Sequence, residues 1–349
     1  MKGIWFDNTH SYNDLNLILS SVSIPPAAVK TNYIDIPGAD GSLDMTEALG
    51  AVRYKDRSCS FVFSVFPYED FEEKKKQISN LLNGRRCKIK LDKDSEYYWV
   101  GRCSVNNYAS DRNLHKITVN ATVNPYKYKV SETAVFVPFC GKNLLDVSEA
   151  NQLNQVYGSV EYISNGVRKS GTYFVGFSAF VNPNTTYYMS LNVKKITAAS
   201  TPGNGGRIAI YDKGVKNIIT SYPSSEGNVV FSFNSGKHTE ISVLFYSDSD
   251  KAQGVYEFTN IQLEDKRSTA FEAFTPIETK EITLTNGRKV VCPSITCSND
   301  NTVFTVGELE FTLSKGTHKV LDFQLQEGAT TMSINGTGAV HINYQEGDL

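Results

Sequence analysis

The chain has no apolar run approaching the ~20 residues that a bilayer-spanning helix needs. Its amino-terminal stretch, MKGIWFDNTHSYNDLNLIL, is broken by Asp7, Asn8, His10, Asn13 and Asp14, so it cannot serve as the apolar core of a signal peptide. The expectation is a chain that folds in a cytoplasm and does not insert into a membrane. A basic excess is missing too: 35 Lys and Arg stand against 37 Asp and Glu, a formal net charge of -2. That balance argues against a nucleic-acid binder. There is no C-x-x-C pair among the six cysteines. Cys59, Cys87, Cys103 and Cys140 lie in apolar or strand-like settings, and Cys292 and Cys297 are isolated from histidine in CPSITC. Reduced structural thiols are expected, and no zinc site.

Motifs that carry chemistry are absent as well. His10, His115, His238, His318 and His341 are scattered. The chain contains no H-E-x-x-H, no G-x-S-x-G, no Walker loop and no dinucleotide fingerprint. GNGGR (Gly203 to Arg207) is glycine-rich but lies between strands, so it does not open a helix over a phosphate. Asp212, Glu226, Asp248 and Glu264 are available as carboxylates, but turn and surface roles account for them. The expectation is a protein without catalytic residues, metal or cofactor.

What is present is mostly β pattern. SCSFVFSVF sets Cys59, Phe61, Phe63 and Val65 on one face. CKIKL, YYWVGRCSV and HKITVNATV repeat the alternation, with DKDSE and NNYASDRN read as polar breaks. One segment has helical period: YEDFEEKKKQISNLLNGRR places Phe71, Ile78, Leu81 and Leu82 on one face. Asp70 and Glu73 resemble a capping box there, and Gly84 is a stop. Residues 1–128 therefore read as a β-rich unit with one helix.

From Lys142 to about Thr275 the texture shifts to Ser, Asn, Gly and Tyr. TYFVGFSAFV, TYYMSLNVKKI, GRIAIYD, NVVFSFN, TEISVLFYS and GVYEFTNIQLE suggest a jelly-roll β-sandwich, with STPGNGG as a tip. The remaining tail is small for a core of its own. The strand TAVFVP (Thr133 to Pro138) has no partner beside it. Both problems are solved if TAVFVP joins the tail's sheet and the jelly roll, 141–275, is an insertion into a domain made of 129–140 plus 276–349. TMSINGTGAVHINY is expected to be a hairpin around Asn335 to Gly338.

Two features remain. IPGADGSLDMTEALG (Ile36 to Gly50) crowds acids and glycines before a strand. As a calcium loop it fails on spacing, since the sixth position from Asp40 is Met45 and no twelfth-position glutamate follows. The inserted module is rich in tyrosine, and Tyr211, Tyr222, Tyr246 and Tyr256, with Tyr187 and Tyr188, offer flat faces with hydroxyls that suit stacking on sugar rings. For any single tyrosine a place in the sandwich core is the plainer explanation.

The stretch IDIPGADGSLDMTEALGAVRYKDRSCSFVFSV closely resembles the amino-terminal signature of distal tail proteins of long-tailed, non-contractile phages. The helix segment, YYWVGRCSV and VNPYKY fit the same pattern. LTNGRKVVCPSI and GTGAVHINYQEGDL resemble that family's galectin-like second domain. NLLD, FVNPNTTYYMSLNVK and NIQLEDKRSTAFEAFTP are similar to jelly rolls of the carbohydrate-binding-module kind. The resemblance implies a mainly β protein of three parts: an amino-terminal ring-forming domain, a galectin-like β-sandwich, and an inserted jelly roll of the type that marks the family's evolved members.

It further implies a homo-hexameric ring at the virion tail tip, made in the bacterial cytoplasm, with DNA passing through its channel without specific binding. Implied partners are the major tail tube protein, the tail-associated tip protein, a receptor-binding protein and host surface polysaccharide. Pro37, Gly38, Asp40, Gly41, Asp44, Thr46 and Glu47 would then lie at the interface between copies. Two other readings stand beside this one: an accessory module of a polysaccharide-degrading enzyme, and an insert that serves only as a spacer or protein-docking domain.

Overall fold

The computed structural model describes residues 3–48, 50–65, 71–111, 114–153, 158–171, 173–197, 206–223, 225–248 and 254–349. The fold is mainly β, antiparallel throughout the described sheets, with a single α-helix among the described residues.

The first elements are β1 (Ile4–Phe6), β2 (Thr9–His10), β3 (Leu17–Ser23), β4 (Tyr33–Asp35), β5 (Ser42–Asp44), β6 (Arg57–Val65), α1 (Phe71–Leu82), β7 (Arg86–Leu91), β8 (Tyr97–Asp111), β9 (Leu114–Val123) and β10 (Lys127–Lys129). The main sheet runs β2-β1-β7-β8-β9-β6-β3. Alternation sets its inner face: Cys59, Phe61, Phe63 and Val65 of β6 lie beside Ile117, Val119, Ala121 and Val123 of β9, all buried. Helix α1 covers this face with Phe71, Ile78 and Leu82, and fully burying such a side chain contributes about 1.5–3 kcal/mol. Gly84 ends the helix at φ +73°, and its N–H donates to Cys103 O at 2.9 Å. Asp70, half of the expected capping box, lies outside the described residues. NNYASDRN is not the expected break over its described residues, and Arg112 and Asn113 lie outside them. Residues 106–111 continue β8, which pairs with β9 as far as Asp111 and Leu114.

After β11 (Thr133–Pro138) come β12 (Ser159–Ile163), β13 (Gly166–Ser170), β14 (Tyr173–Phe180), β15 (Thr186–Thr197), β16 (Arg207–Asp212), β17 (Ile218–Pro223), β18 (Gly227–Asn234), β19 (Glu240–Asp248) and β20 (Val255–Asp265). They form a five-stranded sheet, β12-β13-β20-β15-β18, and a four-stranded sheet, β14-β19-β16-β17. Val167, Met189, Leu191, Phe231 and Phe258 of the first pack on Val175, Phe177, Ile208, Ile210, Val243 and Phe245 of the second. STPGNGG lies outside the described residues except for Gly206.

The segments leading into and out of this sandwich run side by side. Ile277 N–H donates to Phe139 O at 3.1 Å and Gly141 N–H to Thr275 O at 2.8 Å. Beyond them the buried Asn143 side chain donates to Ile261 O and Glu272 O and accepts from the N–H groups of Leu145 and Leu263. Lys142 reaches Glu264, itself buried, at 3.6 Å and Glu272 at 3.3 Å.

The last elements are β21 (Thr279–Asn286), β22 (Ser294–Cys297), β23 (Thr302–Val306), β24 (Leu309–Leu313), β25 (Gly316–His318), β26 (Gly328–Asn335), β27 (Ala339–Tyr344) and β28 (Gly347–Asp348). Strand β11 pairs along its whole length with β27, from Thr133 opposite Tyr344 to Pro138 opposite Ala339. The sheets β11-β27-β22-β25 and β21-β26-β23-β24 face each other over Val137, Leu284, Ile295, Phe304, Met332 and Ile342. Residues 331–344 do not form the expected hairpin. Strands β26 and β27 belong to opposite sheets, and the residues between them form an arch. Gly336 N–H donates to Glu278 O and Gly338 O accepts from Phe139, so both ends of the arch are tied to other elements. Finally, β28 pairs with β10 and so returns the chain to the first sheet.

Candidate functional site

The crowded stretch at 36–50 is not a plain loop. Strands β4 and β5 form a two-stranded hairpin that pairs with no other sheet among the described residues, in register Tyr33 to Asp44, Ile34 to Leu43 and Asp35 to Ser42. Its turn holds Pro37, Gly38, Asp40 and Gly41. The two glycines sit at φ +82° and +77° with nothing within 4 Å of an added Cβ, so they serve backbone conformation rather than a close approach inside the chain.

Some of the polar groups are already spent on the arm's own shape. Asp44 accepts from Thr46 N–H at 2.9 Å, Thr46 Oγ1 accepts from Asn32 N–H at 3.1 Å, and Ser42 donates to Asp35 at 2.5 Å. The Thr46 hydrogen bonds hold the Asp44 carboxyl below the usual range. Asp40 and Glu47 have no such side-chain partner among the described residues. Around the acids stand Tyr33, Ile34, Ile36 and Leu43, large apolar side chains 47–58% exposed. A two-stranded hairpin is at best marginally stable alone, and this one presents apolar surface on a projecting arm.

The tyrosines of the sandwich built from β12 to β20 separate. Tyr211 and Tyr246 share the outer face of the sheet β14-β19-β16-β17, since Arg207 is paired with Tyr246 and Tyr211 with Ser242. The Tyr211 hydroxyl lies close enough to the Tyr246 phenol to influence its ionisation. Phe174 lies 5.1 Å from Tyr246 between ring centroids, and the Arg207 guanidinium covers the Tyr246 ring at 4.2 Å. Leu153 folds over the same face in the space that Gly176 leaves open. Burial first, then the Tyr211 hydroxyl, pushes the Tyr246 phenol up to about 12. Tyr246 is therefore the floor of the patch, 8% exposed. What meets solvent is Tyr211 with Arg207, a residue that the tyrosine count alone missed. The signal was available: in GRIAIYD, Arg207 and Tyr211 have the same strand parity.

Tyr222 is elsewhere. It is paired with Ile208, a core residue, so it points between the sheets at their edge and stacks on Phe231 at 4.1 Å. Tyr256 is in the core at 2% exposure and offers no face to a ligand. Tyr187 is also fully buried, its hydroxyl accepting from Asn182 N–H at 2.6 Å. None of these tyrosines lines the sandwich's concavity of about 360 Å³, which Asp146, Glu149, Tyr162, Asn165, Phe271 and Phe274 help to wall. Among the described residues no three His, Cys, Asp or Glu side chains cluster as metal ligands would.

No protein-family model and no curated protein matches the chain. Solved structures give distant likenesses. The Dit protein of phage SPP1, described as a paradigm of the hub adsorption apparatus in phages infecting Gram-positive hosts, is 12% identical over the whole of both chains, with a TM-score of 0.39. The tandem CBM22 domains of Paenibacillus barcinonensis Xyn10C are 8% identical over 62% of this chain and 99% of that one, with a TM-score of 0.27. An oxalate decarboxylase variant of Bacillus subtilis is 8% identical over 56% of this chain and 77% of its own, at 0.12. Likenesses this low leave function to be read from the residues.

Proposed function

We propose that the chain is a distal tail protein of a long-tailed, non-contractile phage, a structural ring component of the tail tip that carries a glycan-binding insert. The observation that carries this reading is the free-standing β4–β5 arm, whose sequence resembles the family signature and whose exposed apolar side chains need a cover. An arm on one copy that seats on a different surface of the next copy makes a head-to-tail contact, and a fixed rotation of a sixth of a turn closes it into a ring. The interface residues are Pro37, Gly38, Asp40, Gly41, Asp44, Thr46 and Glu47, with Asp44 and Thr46 shaping the arm and Asp40 and Glu47 facing outward.

The units are 1–128, 129–140 with 276–349, and 141–275. The paired segments at 139–141 and 275–277 support an insert with adjacent ends. In the virion the ring contacts the tail tube protein, the tip protein and a receptor-binding protein, and DNA passes through it. The insert holds host surface polysaccharide weakly at each copy through Tyr211 and Arg207 over Tyr246, and ring symmetry multiplies those contacts.

Electron micrographs and native mass spectrometry of the purified chain test the ring: closed hexamers are expected, and their persistence after deletion of 38–47 would refute the arm's role. A glycan array with the full chain tests the insert. Loss of signal in Tyr211→Ala is the expected result, while an array blank for the wild type favours the spacer reading.

A further inference from the structure

Strands β7 and β8 carry an unbalanced basic face. Alternation turns Arg86, Lys88 and Lys90 of β7 outward, and Arg102 of β8 outward beside them. Arg86 and Arg102 are directly opposite in the ladder, an arrangement of like charges that weakens strand pairing unless an anion sits between them. None of these four cations has a carboxylate ion-pair partner among the described residues. Lys88 lies over the Tyr98 ring at 4.9 Å, Lys90 over Trp5 at 5.4 Å, and Arg102 Nη1 donates to Gly84 O. Two carboxylates border the face and lower its excess charge without an ion pair to any of these four cations. Asp7 accepts the Lys88 backbone N–H, and Asp92 accepts from Gly3 N–H, Trp5 and His10.

The arm has the opposite character. Between Lys30 and Arg53 the chain has no Lys or Arg and carries Asp35, Asp40, Asp44 and Glu47, all exposed. The two surfaces do not meet within one chain. The arm springs from between β3 and β6, and β9 separates β6 from β8.

Resting on the arm's proposed role in assembly, we infer that the basic β7–β8 face, Arg86, Lys88, Lys90 and Arg102, is where the acidic β4–β5 arm of a second copy docks. The charges are complementary in number, and the half-buried Trp5 ring beside Lys90 gives the arm's apolar side chains a surface to lie on. Because arm and face are different patches, the contact is head-to-tail and propagates into a ring rather than stopping at a dimer. Charges on both sides are exposed, so salt weakens the association.

The test is a charge swap in the full chain, read by native mass spectrometry and light scattering, with circular dichroism to confirm folding. Arg86→Glu with Lys88→Glu, or Asp40→Lys with Glu47→Lys, should each raise the dissociation constant at least tenfold. Combining all four changes should restore assembly. If deletion of 38–47 dissociates the protein while the Glu variants of the face assemble normally, the docking face is wrong and the arm reading survives. If the arm-deleted chain still assembles, or the wild type is monomeric at every concentration, both fall. Normal assembly of the face variants, together with loss of the wild type's retention on a DNA oligonucleotide, overturns the inference in favour of a nucleic-acid surface.

Discussion

Replacing Asn143 with alanine should unfold the β12–β20 sandwich selectively. Its side chain is 2% exposed and holds four backbone groups: the carbonyls of Ile261 at 2.9 Å and Glu272 at 3.2 Å, and the N–H groups of Leu145 at 3.1 Å and Leu263 at 3.0 Å. A buried group left without a partner costs about 1–3 kcal/mol. The groups of Ile261, Leu263 and Leu145 are deepest, whereas Glu272 can regain water. The expected loss is roughly 3–5 kcal/mol. For a unit of this size that lowers the midpoint by roughly 10–20 °C.

The two other cores share no residue with this junction, so calorimetry should show one transition moving down while the others stay. Hydrogen exchange should quicken at 143–147 and 261–275 and remain unchanged in β6 and β9. Asn143→Asp keeps the acceptor but loses both donated bonds and buries a charge, so it should not rescue. A midpoint within a degree or two of wild type, or a uniform shift of all transitions, would refute the reasoning that this amide locks the two ends of the sandwich segment together.

Other expectations are as follows. Gly101→Ala should destabilise the first unit by about 1–3 kcal/mol, because its Cβ would stand 2.4 Å from Thr122 O and 2.6 Å from Val123 Cγ1; urea unfolding followed at Trp5 and Trp99 measures it. Arg207→Ala should weaken glycan retention roughly tenfold, about 1.4 kcal/mol, without lowering the unfolding midpoint, as native affinity electrophoresis would report. Burial holds the His341 imidazole below its ordinary value, so the unfolded chain takes up a proton that the folded one resists. Stability contributed by this site is then full above the unfolded value and falls as pH drops through it; urea titrations from pH 7.5 to 5.5 should show a loss that His341→Phe, which keeps a ring beside Phe136, reduces.

Much of the fold was legible because its signals are local. The helical period of Phe71, Ile78 and Leu82 and the strict alternation in SCSFVFSVF each point to one geometry. The isolated strand TAVFVP announced a distant partner through its lack of a near one, and β27 is that partner. Tyr256 shares parity with Phe258, so its burial could also have been read from the strand.

What sequence alone determined, then, is the mainly β class and the type of the strongly periodic elements, such as Arg57–Val65 and the helix Phe71–Leu82, since period and turn chemistry depend on neighbours along the chain. Tertiary structure decided which faces are free. Strand β19 is apolar and buried on both sides, with Val243 and Phe245 in the sandwich and Leu244 and Tyr246 outside it, so no alternation marks its outer face. Only the packing of Arg207 and Leu153 shows which side remains near solvent. The arch at 336–338 has the same cause. Glycines permit a turn, but whether that turn closes a hairpin or crosses between sheets depends on which strands, far away in sequence, claim the two edges.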